Sequence, residues 1–313
     1  MNTAAFLRKR LVQTIPVLLG IVLTVFLVVR LIPGDPARIM LGQRASEENL
    51  AELRAELGLD QPIWQQFVTF VGNVAQGDLG NSLFYRRPVL EVIFERLPVT
   101  VSLVVLSVIL SVAICLPLAV ASAMRAGSVT DQTIRGLSTL SLAMPGFWLG
   151  LNLLILFAVV WPVFPLSGFG DGPADILWHL TLPAITITAS LAPILIRTLR
   201  ASLIEVMAAP HVAFARTKGL AEGRLVQRHV LRNGLMATVT ILGVNIGWLM
   251  GGSVVVEQVF SLPGLGALIV NSISARDYPM IQGIALVFGL LVVTINLITD
   301  LVYAALDPRV SYD

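Results

Sequence analysis

The sequence predicts an all-α integral membrane protein with six transmembrane helices, and three observations carry that prediction. Only 13% of the 313 residues are charged while 56% are hydrophobic. A soluble domain carries about 25% charged residues, so this chain lacks the means to build an ordinary water-facing surface. Apolar runs recur at 11–31, 99–123, 137–160, 180–196, 234–256 and 280–299, most of them near the roughly 20 residues that a helix needs to cross a bilayer. The last five contain no Asp, Glu, Lys or Arg, and the first holds only Arg30, placed to snorkel to the interface. The basic residues, finally, concentrate on one side. Arg8, Lys9, Arg10, Arg125, Arg135, seven residues of the loop after run four and Arg309 share one side, whereas the short opposite loops at 161–179 and 257–279 hold only Arg276. By the positive-inside rule both termini are cytoplasmic.

The first run follows Arg8-Lys9-Arg10 and could pass for a signal peptide. It is longer than the 7–15 residues of a signal core and no small-residue cleavage site follows, so it reads as an uncleaved first span. The segment 32–98 then leaves the membrane on the outer side. Ser46 before Glu47 and Glu48 suits a helix start, with Leu50, Leu53 and Leu57 on one face and Gly58 as the stop. Pro62 opens a second helix carrying Ile63, Phe67, Phe70, Val71 and Val74 at helical spacing. These two helices read as interfacial caps or as a landing surface for an external partner. The predicted organisation is residues 1–94 as the first span with the external segment, 95–304 as the core, and 305–313 as a tail.

Runs two to four carry Pro117, Pro145, Pro183 and Pro193, which predict kinks. Cys115 stands alone inside run two, which excludes a disulfide framework and reads as a small packing residue. The fifth run has Gly243, Gly247, Gly251 and Gly252 for close helix packing. The polar Asn152, Asn245, Ser253 and Asn296 either line a path or bond neighbouring helices. Asn245 and Ser253, with Glu257 at the edge of its run, are the candidates for a translocation path.

Several chemistries are missing. No G-x-x-x-x-G-K-[ST] occurs, so the chain has no P-loop to cradle ATP phosphates. The His residues, His179, His211 and His229, show no H-E-x-x-H spacing, so no metal site and no catalytic residue is assigned. Ionisable groups, which a proton-coupled carrier places deep in the membrane, are nearly absent from the runs. A net charge of +2 gives no reason to expect nucleic acid.

The connector at 197–233 is more elaborate than a turn requires. Pro210 suits the first turn of a helix and Gly219 the position past its end. Arg216 and Lys218 sit where cations favour the helix dipole. Ala213 and Ala215 leave room for another protein to approach the backbone. From Glu222 a second helical stretch runs into the fifth span, with Arg224, Arg228 and Arg232 as a basic stripe. Those arginines alone would equally suit anionic lipid.

At these residues the chain resembles the membrane permease of type I ABC importers, in the branch that handles dipeptides, oligopeptides, nickel and glutathione. Ala213-Phe214-Ala215-x-x-x-Gly219 falls where such permeases carry the EAA loop, and Ala215–Leu220 meets the branch pattern A-R-x-K-G-L. Matching pieces recur in order along nearly the whole chain: LIPGDP from Leu31, LGLDQP from Leu57, GDLG from Gly77, GGS from Gly251, FxxPGLG from Phe260 and ALDPR from Ala305. Ala213 stands where many ABC permeases have Glu, and Arg232 where many have Pro; both are usual in the peptide branch. The resemblance implies a type I fold in the bacterial cytoplasmic membrane. It implies a homologous second permease subunit, two ATPase subunits carrying ATP and Mg, and an extracytoplasmic solute-binding protein; no cofactor is bound by this chain. It makes His211, Ala213, Phe214, Ala215, Arg216, Lys218, Gly219 and Leu220 the ATPase-coupling helix, and peptides or a related small solute the cargo. A self-sufficient secondary carrier and a non-transporting scaffold are the alternatives.

Overall fold

The computed structural model describes residues 3–31, 38, 46–56 and 59–306. Among them the chain is helical, with no strand and one isolated antiparallel bridge between Asn81 and Pro88. Two compact units are distinguished, one from Val99–Pro263 with Thr294–Asp313, the other from Asn2–Pro98 with Gly264–Val293. The expected stop at Gly58, the piece at 32–36 and the tail from 307 lie outside the described residues.

In the second unit, α1 (Thr3–Leu31) packs on α3 (Ile63–Ala75) through Phe26, whose ring lies 5.1 Å from that of Phe67 and 5.7 Å from that of Phe70. Between them α2 (Glu47–Glu56) starts as expected, with the Ser46 hydroxyl accepting from the Asn49 amide at 3.2 Å. The start of α4 (Val89–Met124) joins α10 (Leu265–Ala275) and the start of α11 (Tyr278–Leu306) in one apolar cluster around Val89, Ile93, Leu265 and Ile284. Asp277 ties this cluster together. Its buried carboxylate accepts from the Ser82 hydroxyl, from the Leu83 and Phe84 amides, and from the Met280 amide at the start of α11.

The first unit contains most of the apolar length. Among the described residues, four helices are long and apolar enough to cross a membrane: α4, α7 (Pro173–Met207), α9 (Glu222–Val259) and residues Tyr278–Val302 of α11. Each extends beyond the apolar run that predicted it, because helical hydrogen bonding continues through polar ends that hydropathy alone does not count. The run at 137–160 is not one straight helix. It begins earlier, as α5 (Val129–Ala143), and bends by 94° into α6 (Gly146–Val160). The cause is Pro145: the residue before a proline is pushed out of the α region, and Met144 accordingly has an extended ψ of 127°. Counting that pair as one span makes five; the first apolar run contributes a shorter apolar stretch, Val12–Leu27. Pro183 and Pro193, by contrast, lie within the continuous helix α7.

Candidate functional site

The connector forms the helix its ends predicted. α8 (Pro210–Thr217) has Pro210 in its first turn and is closed by Lys218 and Gly219. Gly219 has φ +79°, the left-handed conformation that glycine adopts without steric cost, and its amide bonds the Arg216 carbonyl at 3.0 Å. The helix is two-faced. Val212 and Ala215, three residues apart, are buried at 0% and 8% exposure, while His211, Ala213, Phe214, Arg216 and Lys218 are exposed. Phe214 is the largest outward group, at 62% exposure. Ala215 thus turns into the protein, and of the two alanines only Ala213 leaves the outer face open.

What lies beneath α8 gives it mechanical meaning. Val212 and Ala215 belong to the same apolar cluster as Cys115 and Ala119 of α4, Leu195, Leu199 and Leu203 of α7, and Leu225 and Val230 of α9, with Leu220 packed against it. Burying a side chain of valine size is worth roughly 1.5–3 kcal/mol. The short helix is therefore rooted in the spanning helices rather than hanging from them. Arg216 and Glu222 close the turn to α9 with an ion pair of 2.7 Å, and the bonded carboxylate raises the Arg216 pKa above its ordinary value. The Lys218 ammonium lies 4.6 Å from the centre of the Phe214 ring. The first turns of α9 contain a π-helical segment, Val226–Leu231. Such segments concentrate at functional sites. Arg224, Arg228 and Arg232 remain exposed along it.

One feature of this frame escaped sequence reasoning. Asp131, near the start of α5, is fully buried and receives two guanidinium bonds from Arg200 of α7, each 2.7 Å. The Ser122 hydroxyl of α4 donates to the same carboxylate at 2.6 Å and the Gly127 amide at 2.9 Å. Three helices are pinned at one point, ten residues before Pro210. The available signal was Ser128, whose side chain accepts from the Asp131 amide as a helix cap. It marks where α5 starts but says nothing of the partner on α7.

Among the described residues, Asn245 and Ser253 bond backbone carbonyls rather than each other. Asn245 donates to the Ile241 carbonyl at 2.7 Å and Ser253 to the Met250 carbonyl at 3.1 Å, both on their own helix. Ser253 and Glu257 are fully buried, and Glu257 accepts from the Thr100 hydroxyl at 2.8 Å. Among the described residues no group of His, Cys, Asp and Glu is placed to hold a metal ion.

Residues 113–312 match the family described as binding-protein-dependent transport system inner membrane component, and residues 3–104 match the N-terminal segment of that component. The chain belongs to this family. It is a multi-pass membrane protein and a permease of an ABC importer, not an enzyme. A Brucella suis protein provisionally named as a peptide transport system permease is 40% identical over 99% of each chain. The dipeptide transport system permease protein of Escherichia coli is 36% identical over 98% of each. The glutathione transport system permease protein of Salmonella choleraesuis is 39% identical over 98% of this chain and 99% of its own. Among solved structures, the MetNI methionine ABC transporter in inward-facing conformations matches with a TM-score of 0.57. The match covers 69% of this permease and 96% of that chain at 18% identity, a likeness of fold.

Proposed function

We propose that this permease forms half of the translocation pathway of an ATP-driven importer for peptides or a related small solute such as glutathione or a nickel chelate. A homologous permease supplies the other half, two ATPase subunits bind ATP and Mg, and an external solute-binding protein delivers the cargo. The chain crosses the bacterial inner membrane six times with both ends in the cytoplasm, the bent α5–α6 pair and α1 supplying the remaining spans. The named functions of the relatives support the cargo class, and the basic connector supports the orientation.

In this reading α8 is the coupling helix. His211, Ala213, Phe214, Arg216 and Lys218 enter a groove of the ATPase. Ala215 and Leu220 root the helix, and Gly219 ends it. The single observation that carries the reading is the rooting of Val212 and Ala215 in the core shared by α4, α7 and α9. Closure of the ATPase pair pushes on Phe214 and its neighbours. A helix seated in packed side chains passes that displacement to the spanning helices, whereas a loosely hung loop would absorb it. Asn245, Ser253 and Glu257 lie on the α9 stretch that would repack as the pathway opens.

The test is reconstitution of the permease with its partner chains in liposomes. The reading predicts dipeptide uptake that requires both ATP and the binding protein. Transport by the purified chain alone, driven by an ion gradient, would refute it.

A further inference from the structure

We propose that the cleft between α5 and α7 is a binding site for one anionic diacyl phospholipid. The cleft holds about 480 Å³ and has a cationic end and an apolar end. At the cationic end stand Arg135 and Arg197, with the hydroxyls of Ser138 and Thr139 beside them. Neither guanidinium has a hydrogen-bonding or ionic partner among the described residues, whereas Arg200, which also lines the cleft, is neutralised by Asp131. The apolar end is formed by Leu142, Pro193 and Ile196.

A second groove, of about 600 Å³, lies along α5 and shares Arg135 and Thr139 with the first. Its floor is Gly136, Leu140 and Ala143, where two small residues leave a shallow channel. One phosphate at Arg135 and Arg197 would place one acyl chain in each groove, straddling α5. Free phosphate would satisfy the arginines but leave both apolar grooves wet, and a zwitterionic lipid would fill the grooves but bring its own cation to the arginines. An anionic lipid satisfies both ends. The inference needs the chain to sit in a membrane and does not depend on the coupling role of α8.

The test is native mass spectrometry of the full chain in mild detergent, titrated with dioleoylphosphatidylglycerol or dioleoylphosphatidylcholine. The wild-type chain is expected to retain one phosphatidylglycerol. Arg135→Gln/Arg197→Gln is expected to weaken it by about 30-fold, from the worth of two arginines at an anionic surface. Arg224→Gln/Arg228→Gln, on the exposed stripe of α9, should keep the site. Leu142→Trp, which blocks a groove and leaves both charges, should lose it. Equal retention of phosphatidylcholine, or displacement of the lipid by millimolar inorganic phosphate, would overturn the proposal. So would loss of the lipid when the second permease joins, which would make the cleft a seam between subunits.

Discussion

Gly219 offers the sharpest perturbation of the proposed coupling helix, because its environment separates backbone from packing effects. A Cβ built there meets nothing within 4 Å, so an added methyl group does not clash. The cost comes from φ alone, +79°. An L-residue forced into the left-handed region pays roughly 1–2 kcal/mol, which lowers the population of the correct helix end by about 5–30-fold. Gly219→Ala should therefore weaken ATPase association by about that factor. Gly219→Asn should do less, since asparagine tolerates this region, and β-branched Gly219→Val should do most. Gly223→Ala is the control: Gly223 has equally open space, no positive φ and a helical position, so alanine there should leave association unweakened. The assay is titration of the detergent-solubilised permease with its ATPase subunits, followed by ATP-driven uptake. Wild-type affinity and uptake for Gly219→Val would refute the claim that this helix end is held in a fixed geometry for the partner.

Other expectations follow from the packing. Asp131→Asn should lower the melting temperature markedly by leaving Arg200 without its carboxylate; Asp131→Asn/Arg200→Gln should lose less than the single change, read by thermal unfolding in detergent. Gly243→Ala puts a Cβ into the Thr299 side chain, and overpacking of this kind should cost about 1–3 kcal/mol of stability, partly relieved by Thr299→Ala. Ser253→Cys should resist membrane-impermeant thiol reagents in the resting protein, because Ser253 is fully buried; rapid labelling would show that this part of α9 faces water.

The legible parts of the fold are those written in local chemistry. Pro210 and Gly219 mark a helix start and stop whatever surrounds them, so α8 could be read from the ten residues 210–219. Long apolar runs announce spans for the same reason, although their polar ends, such as residues 89–98 of α4, do not. Pro145 illustrates the limit. Proline permits either a kink or a full break, and α7 keeps Pro183 and Pro193 in a continuous helix while the α5–α6 pair bends by 94°. Which outcome occurs depends on what the neighbouring helices can support. Ala213 and Ala215 look alike in sequence, yet only the buried cluster decides that one faces out and the other in. Asp131 was illegible because its meaning lies in Ser122 and Arg200, brought to it from two other helices.

The decisive measurement is site-specific photocross-linking from position 214 in the assembled transporter. Phe214 is the exposed large hydrophobic side chain of α8, and an aromatic photoprobe in its place keeps a ring there. Adducts with an ATPase subunit, their yield changing when ATP is added, are the predicted result. Adducts confined to lipid or to the second permease would mean that this helix touches no motor, and the coupling account would fail.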